Sequence, residues 1–227
     1  MESGEIAIIF SLSAVTIFFT VYHFFVHSAW VVELPPVKRI VRQRISGFFL
    51  MGFIPLILAL LILKADLSYF GWGLQNLGKT LLWVLGAIVV ILPLSFFAAR
   101  SPANLEVYPQ IRVSEWTFSL LFKSNLTWVL YLVGYETLFR GILFFPLLDH
   151  LGLITALAIN VAIYSIAHIP KGLQETIGAI PFGIVVCLAA GATGTLWFPL
   201  LAHCAMALSS EWFSLYHHPE MQLKKAI

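Results

Sequence analysis

Long apolar stretches separated by short polar connections dominate the pattern of hydrophobic and polar positions along the chain. They cover residues 6–26, 47–63, 80–99, 125–148, 153–169, 173–190 and 196–216. A spanning helix needs about 20 mostly apolar residues, and lipid offers no partner to an unpaired backbone group. The pattern therefore predicts an all-α transmembrane bundle of about seven spans. The aromatic-rich stretch 116–122 predicts a short interfacial helix, or an eighth span if it is re-entrant.

Composition supports a membrane environment and gives no sign of a nucleic-acid partner. Of the 227 residues, 60% are hydrophobic and only 11% are charged, whereas about 25% are charged in ordinary soluble domains. The net charge of +2 needs no polyanionic partner to explain it. The chain has no internal repeat, and its polar connections are too short to be domains. We therefore expect residues 1–227 to form a single domain in the lipid bilayer.

Basic residues are distributed unevenly between the two sets of connecting loops. One set holds Lys38, Arg39, Arg42, Arg44, Arg100, Arg112, Lys123, Lys171 and the Lys224–Lys225 tail, and the other holds Lys64 and Lys79. Because basic loops stay on the cytoplasmic side, this predicts an extracytoplasmic N-terminus and a cytoplasmic C-terminus, in what we expect to be a bacterial inner membrane. Glu2 and Glu5, rather than basic residues, flank the first stretch, which predicts a retained helix and not a cleaved signal peptide.

Four of the ionisable residues within the apolar stretches are candidates for function, because a charge there is costly unless it is paired or used. They are Glu136 and Arg140 in the fourth stretch, His168 near the end of the fifth, and His203 in the last. Glu136 and Arg140 are four residues apart and share one helix face, which favours an ion pair that keeps the carboxylate ionised and oriented. A buried pair that only fixes helix packing is the alternative interpretation.

One carboxylate and two imidazoles from three helices suit two kinds of chemistry. Glu136, His168 and His203 could bind a divalent metal such as zinc and leave its fourth position open. Alternatively, Glu136 and His168 could activate a water without metal, while His203 stabilises the oxyanion that forms on a carbonyl. The HExxH zinc signature is absent from the sequence, so a metal site would have to be assembled by tertiary packing. Spacing alone does not decide between the two.

Three short motifs resemble those of the CPBP intramembrane proteases, also called the CAAX-protease or Abi family, which includes CAAX prenyl protease 2 and proteins like lysostaphin resistance protein A. Residues 135–141, YETLFRG, are similar to the family's EExxxR motif. Residues 164–168, YSIAH, are similar to FxxxH, and residues 203–207, HCAMA, to HxxxN. The resemblance covers residues 116–212, and the order and spacing of the motifs agree with the family.

The resemblance implies hydrolysis of peptide bonds in a membrane-associated peptide or protein. In the family, a glutamate and a histidine activate water, and a later histidine and an asparagine stabilise the oxyanion. The expected catalytic residues are then Glu136, His168 and His203, with Arg140 aligning Glu136. Three positions depart from the pattern: Tyr135 replaces the first glutamate, Tyr164 replaces the phenylalanine, and Ala207 replaces the asparagine. We expect the added hydroxyl at position 164 to orient His168.

Two hypotheses of different classes follow from these residues. The first is an intramembrane endopeptidase with Glu136 as the base, and the second is a catalytically silent relative that binds a membrane partner or regulates it. A proton-coupled transporter is less favoured, because the chain shows no repeat symmetry. Outside the motifs, we interpret His23 and His27 as part of an interfacial belt, and Lys171 and Glu175 as a headgroup anchor and a helix cap.

Overall fold

The computed structural model describes residues 3–224 and confirms the predicted all-α membrane fold. Glu2, used to predict a retained first helix, and Lys225, used to predict the orientation, lie outside the described residues. The α-helices are α1 (Ser3–Val26), α2 (Ala29–Val32), α3 (Pro36–Gly47), α4 (Ile54–Leu63), α5 (Leu77–Ala98), α6 (Pro102–Val107), α7 (Phe118–Glu136), α8 (Phe145–Ile166), α9 (Leu173–Thr193) and α10 (Trp197–His217). Two π-helical segments, Phe48–Phe53 and Thr137–Phe144, join α3 to α4 and α7 to α8. Short 3₁₀ turns cover Leu67–Phe70 and Ile169–Lys171.

Five helical stretches are long and apolar enough to cross a membrane. They are Gly4–Val26, Pro36–Leu63, Leu77–Ala98, Phe118–Ile166 and Leu173–Thr193. The fourth has 49 residues, whereas about 20 residues span the hydrocarbon core. It changes direction at Gly152, where φ is 76°, and Asn160 of its second half lies against Phe139 of its first half. The predicted count of seven spans stays a prediction.

The stretch 116–122 does not form a separate interfacial helix, so that prediction is wrong. Trp116 belongs to β1 (Glu115–Trp116), which pairs in parallel with β2 (Gln222–Leu223). Phe118 already begins α7, and the Thr117 side chain caps this helix by accepting a hydrogen bond from the Leu120 amide. Trp116 therefore belongs to β1, and Phe118 and Phe122 belong to the first two turns of α7 and not to a helix of their own.

The connecting segments gather at two ends of the bundle that differ in charge. The basic end, where α1, α5 and α10 finish and α7 and α9 begin, holds Lys38, Arg39, Arg42, Arg44, Arg100, Arg112, Lys123, Lys171 and Lys224. Lys64 and Lys79 lie at the opposite end, where Lys79 donates to the carbonyl of Ala192 near the end of α9. The two sets of basic residues are thus separated in space. Which side of the membrane each end faces stays a prediction.

Arg44 is buried, although the sequence suggests a loop cation. Its guanidinium lies 3.4 Å from Glu211 Oε1 on α10 and donates to the side chain of Ser124 on α7 at 2.9 Å. The Glu211 carboxylate also accepts from Ser124, from the Trp128 indole and from the Gln110 amide. A buried ion pair needs such extra donors, because its charges have lost their hydration. This network joins α3, α7 and α10 at the basic end.

Glycines bring α7 close to the π-helical segment Phe48–Phe53. A Cβ atom added to Gly134 would lie 2.7 Å from the carbonyl oxygen of Gly47, and one added to Gly52 would lie 2.6 Å from the Gly134 Cα atom. Small residues allow membrane helices to approach until their backbones touch. Because Gly134 immediately precedes Tyr135 and Glu136, this contact positions the start of the first motif.

Candidate active-site cavity and its polar network

Glu136 ends α7 and has no exposed surface. Its Oε1 atom lies 2.6 Å from His203 Nδ1 on α10 and 3.4 Å from Arg140 Nη1. Its Oε2 atom lies 3.3 Å from the same arginine nitrogen. Since a carboxylate only accepts hydrogen bonds, His203 Nδ1 carries the hydrogen and donates it. The pair expected from the sequence is therefore a triad, in which one carboxylate is shared by a guanidinium and an imidazole.

Arg140 is also fully buried, and an aromatic ring covers its guanidinium. The Cζ atom lies 4.1 Å from the ring centroid of Tyr164 on α8. A desolvated cation over an aromatic face is attracted by the quadrupole of the ring, with a strength of roughly 2 kcal/mol. The Tyr164 ring therefore supports Arg140, a role that we did not expect from the sequence.

The backbone of the first motif is π-helical from Thr137 to Phe144. π-Helical turns leave carbonyl groups outside the regular pattern of α-helical hydrogen bonds and often occur at functional sites. Here the carbonyl of Phe139 accepts a hydrogen bond from Asn160 Nδ2 at 2.6 Å, and Asn160 Oδ1 in turn lies 3.1 Å from Cys187 Sγ. This buried bridge ties α8 and α9 to the segment that carries Arg140.

His168 follows α8 and is buried, with Nδ1 2.8 Å from the backbone carbonyl oxygen of Tyr164. The carbonyl can only accept, so Nδ1 carries the hydrogen and Nε2 of the neutral ring is a free acceptor. Burial, with a smaller contribution from nearby Lys171, lowers the pKa of His168 to about 3. The ring is therefore neutral near pH 7. It is oriented by the Tyr164 backbone and not, as the sequence suggested, by the Tyr164 hydroxyl.

Tyr135 stands between the two histidines. Its ring centroid lies 5.7 Å from that of His203 and 6.3 Å from that of His168, with both histidine rings nearly perpendicular to it. On its other side the ring stacks on Phe139 at 4.4 Å. The buried hydroxyl has no hydrogen-bond partner among the described residues. The residue that replaces the family's first glutamate thus occupies the space between the imidazoles.

These residues line a cavity of about 240 Å³, called the Tyr135 cavity. Its polar and small lining residues include Tyr135, His168, His203, Lys171, Glu175 and Ala207. Glu136 and Arg140 do not line it, although they belong to the same motif. The structure therefore brings four of the seven residues singled out in the sequence, Tyr135, His168, His203 and Ala207, to the wall of this cavity. Tyr164 lines a neighbouring cavity, and Glu136 and Arg140 line neither. A second cavity of about 460 Å³ shares His168, Lys171 and Glu175 with it and extends toward Glu106 at the basic end.

The geometry does not fit the metal-binding alternative. Across residues 3–224, no three His, Cys, Asp or Glu side chains lie close enough together to hold a metal ion. Glu136 is held by Arg140 and His203 and does not line the cavity that His168 and His203 share, so it is not placed beside them as a third ligand.

Sequence reasoning missed two groups that build this region. Asn160 is fully buried, and a polar side chain four residues before Tyr164 in an apolar stretch was a signal that could have found it. Glu211 is a second such signal, because it is a carboxylate within the last apolar stretch. Its partner Arg44 comes from a polar connection, and no pattern along the chain relates the two.

Comparison with known proteins agrees with the motif assignment. A family model described as type II CAAX prenyl endopeptidase Rce1-like matches residues 116–209. No curated protein and no solved structure shows a significant match to the chain. The matched region runs from β1 to the middle of α10 and includes Glu136, Arg140, His168 and His203. Residues 116–209 of this integral membrane protein are therefore similar to the type II CAAX prenyl endopeptidase Rce1-like family.

Proposed function

We propose that this protein is a catalytically silent relative of the CPBP proteases, which binds a membrane-associated peptide in the Tyr135 cavity without cleaving it. The observation that carries the proposal is the position of Tyr135, whose ring lies between His168 and His203. A phenol has a pKa of about 10 and is a poor base near neutral pH. The position that the family fills with a base is here filled by a neutral aromatic ring.

Two further features support the absence of turnover. Glu136 is engaged by Arg140 and His203 and does not line the cavity, so it is poorly placed to take a proton from a water there. Ala207 lines the cavity but offers no donor, and removing one oxyanion donor costs about 10² to 10³ in rate. Glu136 acts in this proposal as a positioning residue that fixes the His203 ring, and not as the general base.

The proposed partner is a peptide segment held at the bilayer. Aromatic walls with a few polar groups are typical of ligand sites, and the connected cavities provide both. CAAX prenyl endopeptidase is the printed description of the matched family, so a prenylated peptide is the first ligand to test. We place the protein in a bacterial inner membrane with the basic end cytoplasmic, in keeping with the distribution of its Lys and Arg residues.

The test uses full-length protein in lipid nanodiscs and a farnesylated CAAX peptide. Fluorescence of a labelled peptide measures binding, and mass spectrometry of the same mixture measures cleavage. We expect the wild type and Tyr135→Phe to bind the peptide without cleaving it, whereas Tyr135→Glu combined with Ala207→Asn should gain turnover. Cleavage by the wild type that His168→Ala abolishes would reject the proposal, and so would the absence of any binding.

An endopeptidase that uses the histidines is the second candidate, because one specific observation favours it. His168 is neutral, and its free Nε2 belongs to a ring that lines the cavity. In this mechanism Nε2 takes a proton from water as the water oxygen attacks the peptide carbonyl. His203 acts as an imidazolium, which donates its Nδ1 hydrogen to Glu136 and its Nε2 hydrogen to the resulting oxyanion. The proton on His168 then passes to the leaving amine as the C–N bond breaks.

The same assay separates this candidate from the first. Hydrolysis by His168 predicts wild-type turnover that is lost in His168→Ala and reduced in His203→Ala, with Tyr135→Phe close to the wild type. Turnover that survives both histidine substitutions would point to a contaminating protease and would reject this candidate.

A further inference from the structure

A separate cavity of about 260 Å³ opens at the basic end beside the Tyr135 cavity, and we call it the basic-end cavity. The two cavities share a wall formed by Trp128, Tyr131, Tyr135, His168 and Lys171. A peptide bound in the Tyr135 cavity would therefore reach the basic-end cavity by passing this shared wall. Nothing in the family motifs assigns a role to the basic-end cavity.

Its charged lining is entirely basic. Arg44 and Lys171 line the cavity, and so do His23 and His27 near the end of α1, whose ring centroids are 4.4 Å apart with the rings tilted by 40°. No acidic side chain among residues 3–224 contributes to the lining, which is completed by amides, aromatic rings and small apolar side chains. Glu211, the carboxylate that pairs with Arg44, is not part of this lining. Burial lowers the pKa of Lys171, which Glu175 partly offsets, so a bound anion would stabilise the charged ammonium group.

Two buried polar groups of this lining have no partner. Arg44 Nε and the Tyr135 hydroxyl are both enclosed without a hydrogen bond within the described part of the chain. The one acid near Arg44 is Glu211, which lies behind the cavity wall and receives donors from Ser124, Trp128 and Gln110 as well. Burying an unpaired donor costs about 1–3 kcal/mol, so such groups are expected to serve a ligand.

We infer that the basic-end cavity binds the C-terminal carboxylate of the peptide that occupies the Tyr135 cavity. This inference rests on the proposed function, because it needs a peptide in that cavity. Arg44 and Lys171 provide the charge, while the Tyr22, Trp128 and Tyr131 rings provide a surface for the last side chain. Binding of a carboxylate by charged donors is a strong form of hydrogen bonding and gives direction to the bound chain.

A peptide terminus suits the site better than a lipid phosphate. The cavity shares its wall with the cavity proposed to hold peptide, whereas the large apolar groove along α5, α9 and α10 that faces Leu82, Val90 and Val185 does not include Arg44 or Lys171.

The experiment compares two forms of one farnesylated CAAX peptide, with a free carboxylate and with a carboxamide, on full-length protein in zwitterionic nanodiscs. For the wild type, we expect the acid to bind roughly tenfold more tightly than the amide, as for the loss of one charged hydrogen bond. In Lys171→Gln the preference should fall to roughly threefold or less, because only Arg44 retains its charge. Lys123→Gln is the matched control, since it removes an exposed lysine at the same end of the bundle.

Each outcome bears on a different claim. Equal binding of acid and amide by the wild type would overturn this inference and leave peptide binding intact, whereas no binding of either form would overturn the proposed function itself. Nanodiscs with anionic lipid provide a second arm. If anionic lipid abolishes the acid preference in the wild type, the site binds lipid phosphate and the inference is wrong. Arg44→Gln is avoided as the main variant, because it would leave Glu211 buried without its cation.

Discussion

The Glu136 carboxylate supports His203 from behind, with Oε1 2.6 Å from Nδ1, and only the histidine of this pair lines the Tyr135 cavity. The contact fixes the orientation of the ring, because the hydrogen on Nδ1 is directed at an anion. The Glu136 carboxylate also pairs with Arg140 inside the bundle. Glu136 is therefore central to the stability of the site whether or not the protein hydrolyses peptides.

Removing the charge of Glu136 should destabilise the protein strongly. Glu136→Gln leaves Arg140 buried without a counter-charge, and breaking one side of a buried ion pair costs about 3–5 kcal/mol. Thermal unfolding in detergent should show this loss. The double variant Glu136→Gln with Arg140→Met should recover much of it, because no unpaired charge remains. Equal stability of the wild type and Glu136→Gln would show that the pair does not act as a buried ion pair.

Gly134→Ala should disrupt the contact between α7 and the segment Phe48–Phe53. The new methyl would lie 2.7 Å from the Gly47 carbonyl oxygen and from the Phe48 Cα atom, so backbone must move, at a cost of about 2 kcal/mol or more. Gly78→Ala is the control, because its methyl would meet no atom within 4 Å and alanine favours a helix. Unfolding midpoints that fall equally in both variants would contradict this prediction.

Asn160→Ala should lower stability by about 1–3 kcal/mol, since it leaves the Phe139 carbonyl buried without its donor. Asn125→Ala removes the exposed hydrogen bond between Asn125 and the Trp212 indole, and there we expect a change of less than about 0.5 kcal/mol. Denaturant titration of both variants measures the difference. A smaller effect at Asn160 than at Asn125 would mean that the π-helical segment does not need this bridge.

Acid should destabilise the protein through His168. Burial lowers the pKa of His168 to about 3, while an unfolded chain has a histidine pKa near 6.5, so the unfolded state binds more protons between these values. The contribution of His168 to the free energy of unfolding is complete above pH 6.5. It decreases as the solution becomes more acidic, by about 2 kcal/mol between pH 6.5 and pH 5. The difference in unfolding free energy between the wild type and His168→Gln isolates the effect. A difference that does not change with pH would contradict it.

Much of the fold follows from local patterns along the chain. Apolar stretches of about 20 residues predict the helices because the bilayer forces every backbone group to pair within its own helix. The end of α1 at Val26 and the start of α9 at Leu173 lie at or next to the predicted limits. The small β1–β2 pairing was not predictable in this way, since it joins Trp116 to Leu223 across almost half of the chain.

The sequence by itself determined that Glu136, Arg140, His168 and His203 lie in apolar surroundings, and its motifs predicted the resemblance to the Rce1-like family. Only the tertiary structure decided that Glu136 turns toward His203 while Tyr135 enters the cavity. The physical reason is that spacing defines the face of a helix but not the neighbour that packs against it. Here that neighbour is set by the approach of Gly134 to another backbone and by a π-helical turn, both of which depend on packing between distant parts of the chain.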